Sequence, residues 1–469
     1  MDLRRKAMKK VDVVIIGGGI SGLMAAYRLI EEKPGLKITL LEKGHDITRR
    51  LCPIIEGKVP TCINCPTCGI MEGLAGAGAY SDGKYIISTE YGGWLTDFLP
   101  QSTVIKYIEQ ADAILVRHGA TTDRYQPSDE LKTLCLKHDL HMQQAQVKHL
   151  GTDANYKTMM DLIHSLRDKI EIITDANVTD ADGDQKIVYY TQKKESHEIQ
   201  ADALIFAVGR AGSRFFSQWC SKNKIPLINN QVDIGVRVEL PYSVWKHFSE
   251  VIYEPKIWFR SQKYGDITRM FCFNEKGHVV MENTNDIITV NGHSFKEEDK
   301  KTDNSNFALL STIKFTTPFN DPIDYARHVA HLGNLISGGS VLVQRLGDLL
   351  HGRRPDENRL KANTVKPPLK PVPGDLSLCM PKRQLDNIIE TLFALDKVAP
   401  GTANMDTLLY GVECKYYSAR PDTTNFELNG FKNVYAIGDG AGFTRSLSQA
   451  AAHGLFVADT YLDKIDKQD

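Results

Sequence analysis

The 469-residue chain has no apolar run near the roughly 18 residues that a membrane-spanning helix needs, so nothing in it reads as crossing a bilayer. It has almost no excess of either charge: the formal net charge is -1, which gives no global field for nucleic acid or an anionic surface. Nine cysteines, an odd and unevenly spread number, do not suit a disulfide framework in a chain this long. There is no HExxH helix for zinc, no P-loop lysine, no nucleophile-elbow serine and no internal repeat. The charged start, Met1 to Lys10, runs into a short apolar stretch with no cleavage site, so a secretory leader is not expected and the expected location is cytoplasmic. Length alone predicts two or three domains.

What is present begins at Val11. Residues Val11 to Ile16 are β-branched and apolar apart from Asp12, the pattern of a buried parallel strand. The run Gly17-Gly18-Gly19-Ile20-Ser21-Gly22 follows at once, and Ile20 to Glu32 has helical spacing, stopped by Pro34-Gly35. A second strand, Lys37 to Leu41, ends at Glu42 and Lys43. Gly17 suits a tight turn, Gly19 a close approach of backbone to a pyrophosphate, and Gly22 close packing of helix on sheet. The helix start offers unpaired N–H groups to phosphate, and Glu42 can accept from ribose hydroxyls. Strand, glycines, helix, strand and acid in this order predict a dinucleotide site.

Two more segments decide which dinucleotide. Asn433 to Gly442 ends an apolar strand in Gly438-Asp439-Gly440-Ala441 and opens a helix from Leu447. It resembles the second FAD signature of the glutathione-reductase-like flavoproteins. That resemblance implies that Asp439 binds the ribityl chain or pyrophosphate and that the helix start points at the flavin's pyrimidine side. Ala201 to Gly212, with Ala207-Val208-Gly209, resembles the strand that returns the chain to the FAD domain in that family. No second GxGxxG follows a strand, so a dedicated NAD(P) domain is not expected, although NAD(P)H stays open as a co-substrate.

Gly73 to Lys84 reads GLAGAGAYSDGK. It resembles a segment of the uncharacterised FAD-dependent dehydrogenases, also called NAD(FAD)-utilising dehydrogenases. Ala75 stands where that family has a glycine. The likeness continues through His149 to Asp153, Asp233 to Glu239, Phe271 to Phe273, Val290 to Ser294, Asn304 to Ala308, Gln344 to Asp348 and Tyr410 to Glu413. It implies cofactor contacts at Gly76, Gly78, Ser81, Asp82, Gly83 and Lys84, in addition to Gly17, Gly19, Ile20, Ser21, Gly22, Glu42, Lys43, Ala207, Gly209, Gly438, Asp439, Gly440 and Ala441.

Cys62, Cys65 and Cys68 form a C-x2-C-x2-C run, with Cys52-Pro53 ten residues before it. The spacing suits a [4Fe–4S] cluster, although Glu72 stands where a simple ferredoxin run has its fourth cysteine. A zinc site, a redox dithiol exchanging electrons with the flavin and four plain thiols are the other readings. His453, Arg237 and Lys84 are candidate catalytic groups. Arg237 and Arg345 could orient an anionic substrate or form structural ion pairs, and His149 and His293 stand in family-like motifs.

The expected fold is α/β: a three-layer Rossmann-like FAD domain with an inserted mixed α+β substrate domain. The expected boundaries are 1–95, 145–215 and 400–469 for the FAD domain, 96–144 for a helical insertion and 216–399 for the substrate or cap domain. The expected function is FAD-dependent oxidoreduction by hydride transfer through flavin N5, acting on a small molecule and relayed or not by the cysteines. Two other readings are base modification on nucleic acid, which the neutral charge disfavours, and a non-catalytic flavin/thiol redox sensor.

Overall fold

The computed structural model describes residues 8–53, 56–59, 63, 65–252, 254–284, 287–294, 298–315, 321–367 and 369–467. The chain divides into two compact units. One comprises 1–124, 146–229 and 418–469, the other 125–145 and 230–417. Among the described residues no helix is long and apolar enough to cross a membrane.

The first unit is built on a parallel sheet. Its neighbours run Glu171–Ile173, Ile38–Leu41, Lys9–Ile16, Glu195–Phe206 and Val434–Ala436. The register sets Val13 opposite both Ile38 and Ala203, and Leu204 opposite Val434. Val13, Val14, Ile15, Leu204, Ile205 and Phe206 are fully buried, as strands covered on both faces require. Ile20–Glu32 packs on this sheet through Leu23, Met24, Ala26 and Leu29. Each such side chain contributes roughly 1.5–3 kcal/mol on burial, less for alanine. The last helix, Leu447–Asp466, lies against the first: a Cβ at Gly454 would stand 2.1 Å from the Ser21 carbonyl oxygen. Only glycine permits that approach, and it fixes the last helix behind the glycine turn.

The second unit holds a mainly antiparallel sheet in the order Val372–Pro373, Leu342–Arg345, Leu408–Lys415, Val232–Pro241, Asn304–Ile313, Ile267–Asn274, Ile257–Arg260 and Leu140–Met142. Val232–Pro241 alternates in sequence yet is buried on nearly its whole length, because Asn304–Ile313 and Leu408–Lys415 cover its edges and the helices Pro322–Ser337 and Lys382–Asp396 pack against it. Helices Pro322–Ser337 and Lys382–Asp396 supply buried side chains to the same core.

These pairings move three of the expected boundaries. The span 96–144 is not one insertion: the helix Gln101–Arg117 belongs to the first unit, whereas Leu140–Met142 pairs with Ile257–Phe259 of the second. Residues 400–417 belong to the second unit, since Leu408–Lys415 is a central strand there. Residues 216–229 stay with the first, carried by the helix Gly209–Lys222.

Candidate functional site

A cavity of about 340 Å³ opens in the first unit at the C-terminal ends of its parallel strands. That is where ligands of open α/β sheets bind, and the volume lies in the usual range for such sites. Gly17, Gly19, Ile20, Ser21, Glu42, Lys43, Ala207, Gly209 and Asp439 line it, as do Gly76, Gly78 and Ser81. These come from segments as far apart as Gly17 and Asp439, so the fold brings together the residues singled out by their motifs.

The glycine turn shows why each position is glycine. Gly17 has φ +111°, and a Cβ there would meet the Ala207 carbonyl oxygen at 2.3 Å. A Cβ at Gly22 would stand 2.2 Å from the Gly17 carbonyl oxygen, so it packs against the turn and does not line the cavity. Gly19 differs: no protein atom lies within 4 Å of its Cβ position. Its side faces open cavity. Gly19 is also the N-cap of the first helix, no side chain caps that helix, and its first turn holds no acid. The helix start, with Ile20 and Ser21 in the cavity lining, is thus left without a side-chain cap, and the positive end of the helix dipole lies behind it.

Glu42 is buried and does more than the sequence suggested. One carboxylate oxygen accepts from the Gly44 N–H at 2.8 Å and the Gly73 N–H at 3.0 Å. The other accepts from the Gly18 N–H at 2.8 Å. The acid ties the glycine turn to the Gly73 loop, and its second oxygen keeps one lone pair for a ligand hydroxyl.

Arg50 is a residue that motif reading missed. Its guanidinium is buried and donates to four backbone carbonyls: Gly69 at 3.0 Å, Ile70 at 2.7 Å, Leu74 at 2.9 Å and Gly76 at 2.7 Å. Burial pulls its pKa below the ordinary arginine value, opposed by the negative groups around it. Arg50 clamps the loop that leads from the cysteines into the cavity wall. Its partners are main-chain atoms, so no side-chain pattern announces it. Ala75, between two of these carbonyls, has φ +72°, a conformation glycine adopts without strain.

Asn155, also missed, holds the next stretch. It accepts from the Tyr85 hydroxyl at 2.8 Å and donates to the Gly78 carbonyl at 2.6 Å. Asp82, Gly83 and Lys84 lie outside the cavity lining. The Lys84 Nζ is 3.5 Å from Asp82, and Lys84 pairs across strands with His149, whose Nε2 is 3.3 Å from the same carboxylate.

At the other side of the turn, Asp439 accepts from the Thr444 hydroxyl at 2.6 Å and stands 4.0 Å from Arg210. Burial raises its pKa, and Arg210, Thr444 and Arg445 oppose that rise. Gly438, Gly440 and Ala441 pack behind it: a Cβ at Gly438 would meet the Ser21 hydroxyl oxygen at 2.7 Å. His453 is fully buried between Phe426 and Phe443 and is not in the cavity wall. Its Nδ1 accepts from the Gly438 N–H at 3.1 Å, which leaves the ring proton on Nε2. Burial lowers its pKa to about 3, so the ring is neutral.

Arg237 lies in the second unit, fully buried. Nε and one terminal nitrogen donate to the two Glu413 oxygens, both at 2.9 Å. The remaining N–H groups go to the Cys272 carbonyl at 2.9 Å, Asn291 at 3.0 Å and Asn306 at 3.3 Å. All five donors are used. Arg345 is held by Asp406, Asn363 and Asp348.

Cys52, Cys65 and Cys68 are half-buried free thiols, and Cys62 lies outside the described residues. Among the described residues no group of three or more His, Cys, Asp or Glu side chains could hold a metal ion. The Cys68 N–H donates to Glu72 at 2.9 Å, and Glu72 also pairs with Lys43 at 2.6 Å.

Residues 12–49 match the family described as FAD dependent oxidoreductase, and residues 256–416 match the family described as FAD-dependent protein, C-terminal domain-like. An uncharacterized protein of Clostridium beijerinckii is 24% identical over 481 residues, covering 97% of this chain and 82% of its own. Among solved structures, pyridoxine 4-oxidase from Mesorbium loti is similar at 12% identity and a TM-score of 0.44, over 97% of this chain and 99% of its own. Glycerol-3-phosphate dehydrogenase from Bacillus halodurans, complexed with FAD, is similar at 10% identity and a TM-score of 0.39. This chain aligns over 97% of its length with 65% of that protein. The substrates in these names stay with those proteins. The cavity has the cradle, the uncapped helix and the acceptor that FAD requires, so the residues fit that cofactor.

Proposed function

We propose that this FAD-dependent oxidoreductase holds FAD along the Gly17 to Asp439 cavity and transfers hydride between flavin N5 and a small-molecule substrate. The observation that carries the reading is Gly19: an open Cβ position at the uncapped start of a helix, in the same cavity as Glu42. Bound there, FAD supplies the two-electron chemistry, and the chain supplies position and charge. The helix start at Ile20 and Ser21 holds the pyrophosphate. The free lone pair of Glu42 takes a ribose hydroxyl. Asp439 takes the ribityl side, and Gly76 to Ser81 wall the flavin.

His453 is a positioning residue in this reading, since it fixes the Gly438 turn by its Nδ1 and does not line that cavity. Arg237 has no donor left for a substrate, so we assign it to the framework of the second unit. We route no electrons through the cysteines. Cys68 is tied to Glu72, next to Gly73 and Glu42, which is the adenosine side of the turn.

The test is anaerobic purification, desalting, heat release and mass identification of the bound molecule, with metal analysis on the same sample. One FAD per chain, without stoichiometric iron or zinc, is the expected result. A chain that neither retains nor takes up FAD would refute the reading, and iron at cluster stoichiometry would restore the cysteines as an electron path.

A further inference from the structure

Sequence alternation sorts the residues of the second unit's sheet onto two faces. Leu140, Met142, Ile257, Phe259 and Met270 are buried in the core of that unit. Successive side chains on a strand point to opposite faces, so His141, Trp258 and Arg269 stand on the other one. The register sets them in a row. Trp258 lies opposite His141 on one neighbouring strand and opposite Arg269 on the other, and Leu310 lies opposite Arg269 on the strand beyond. His141, Trp258 and Arg269 are half-buried. The His141 and Trp258 rings stack, with centroids 3.9 Å apart and planes 12° from parallel. That contact covers one face of the indole and leaves the face on the Arg269 side of the row.

Arg237 belongs to the same face, since Gly235, two residues before it, is in register with Leu310 and through it with Arg269. The two arginines differ in what they hold. Arg237 spends its donors on Glu413, Cys272, Asn291 and Asn306. One terminal nitrogen of Arg269 is buried and bonded to nothing. Among the described residues no carboxylate pairs with Arg269 and no aromatic ring lies under it. A buried charged donor without an acceptor is costly, and an acceptor that arrives with a ligand removes that cost.

The surroundings say what kind of ligand. A guanidinium fork matches a carboxylate through two parallel N–H···O bonds. One arginine balances one negative charge. Its neighbours Leu310 across the strands and Ile267 along the strand are apolar, and the remaining indole face suits a flat group. We propose that this face of the second unit's sheet binds a flat organic monocarboxylate, with the carboxylate on Arg269 and the apolar body against Trp258. The site goes beyond the FAD reading and does not depend on it.

The experiment titrates the full-length chain in a calorimeter with three probes. Phenylacetate carries both features, phenylacetamide has the ring without the charge, and acetate has the charge without the ring. Phenylacetate should bind, and each of the other two at least tenfold more weakly. Arg269→Leu should weaken phenylacetate at least tenfold and leave phenylacetamide unchanged. Arg269→Lys, which keeps the charge and loses the fork, should fall between, and Trp258→Leu should weaken both aromatic probes. Removing Arg269 strands no partner, so the denaturant midpoint of Arg269→Leu should not fall. A lower midpoint with unchanged phenylacetate affinity would make Arg269 a framework residue and overturn the inference. Absence of saturable phenylacetate binding by the wild type would overturn it too, as would tighter binding of phenyl phosphate than of phenylacetate. No flavin enters the measurement, so a chain that fails to take up FAD would refute the reading above and leave this result standing.

Discussion

The two units treat their polar groups in opposite ways. In the first, the motif residues leave valences open toward a cavity: the uncapped start of the first helix, one lone pair of Glu42, and Asp439 between arginines. In the second, the motif residues consume one another. Arg237, Asn291, Asn306 and Glu413 come from four of the family-like segments, and they close on a buried arginine with no donor left over. The lesson is that a run of polar motifs marks a site only when its hydrogen-bonding capacity is unfilled. Filled capacity marks a framework, and its removal is felt in stability before anything else.

The largest effect follows from that contrast. Arg237→Leu leaves Glu413 buried, with Lys415 at 3.3 Å in partial compensation. Breaking a buried pair in this way costs about 3–5 kcal/mol, read as a lower denaturant midpoint. Replacing both partners, Arg237→Leu with Glu413→Leu, should recover much of the loss, because no charge is then stranded. FAD content per folded molecule should not change. A loss of FAD with intact stability would place Arg237 with the cofactor and erase the contrast.

The units also differ in how their buried titratable groups respond to pH. Burial pushes Glu239, in the second unit, up to about 7 from an ordinary value of 4.5, against the hydrogen bonds from Tyr410 and Asn304. Between those values the folded chain holds a proton that the unfolded chain has released. Its contribution is therefore complete below pH 4.5 and is lost as pH rises through 7, by about 3 kcal/mol over the window. His453, in the first unit, slopes the other way. Its pKa falls from 6.5 to about 3. Its contribution is complete above pH 6.5 and is lost as pH falls toward 3. Unfolding free energies at pH 5 and pH 8 separate them: Glu239→Gln should gain on the wild type as pH rises. A difference independent of pH would mean that the carboxyl is already ionised in the folded state.

How much of this was legible in the residues divides along the same line. The turn at Gly17 to Gly22, the acid at Glu42 and the Asp439 signature are local patterns of strand, glycine and helix, and they meet at one cavity. Arg50 and Asn155 are not legible, because they act through backbone carbonyls that any residue would present. Arg237 is visible as a cation in a motif. That its donors are spent depends on partners 35 to 176 residues away in sequence, and only the sheet register reveals it. The bounds expected for 96–144 and 400–469 shift for the same reason: a strand's owner is decided by its pairing partner.

Within the first unit, two glycines test the open valence directly. Gly17→Ala would force a Cβ to 2.3 Å from a carbonyl oxygen at φ +111°, so it should damage folding. Gly19→Ala meets nothing within 4 Å, and its φ of -72° suits alanine, so the fold should accept it. Only the ligand feels the added methyl. FAD affinity should fall at least tenfold, about 1.4 kcal/mol, with the melting temperature of the FAD-free protein unchanged. Equal FAD affinity in Gly19→Ala would show that the pyrophosphate does not pass there.

The smallest effect sits at Ala75, where two terms nearly balance. A non-glycine residue at φ +72° costs roughly 1–2 kcal/mol. Glycine removes that strain but gives the unfolded chain about 0.4–1 kcal/mol of extra freedom. The sum predicts that Ala75→Gly stabilises the protein by up to about 1.6 kcal/mol, visible as a modest rise in denaturant midpoint. A fall would mean that the Ala75 methyl, which is fully buried, contributes more in packing than its backbone loses in strain.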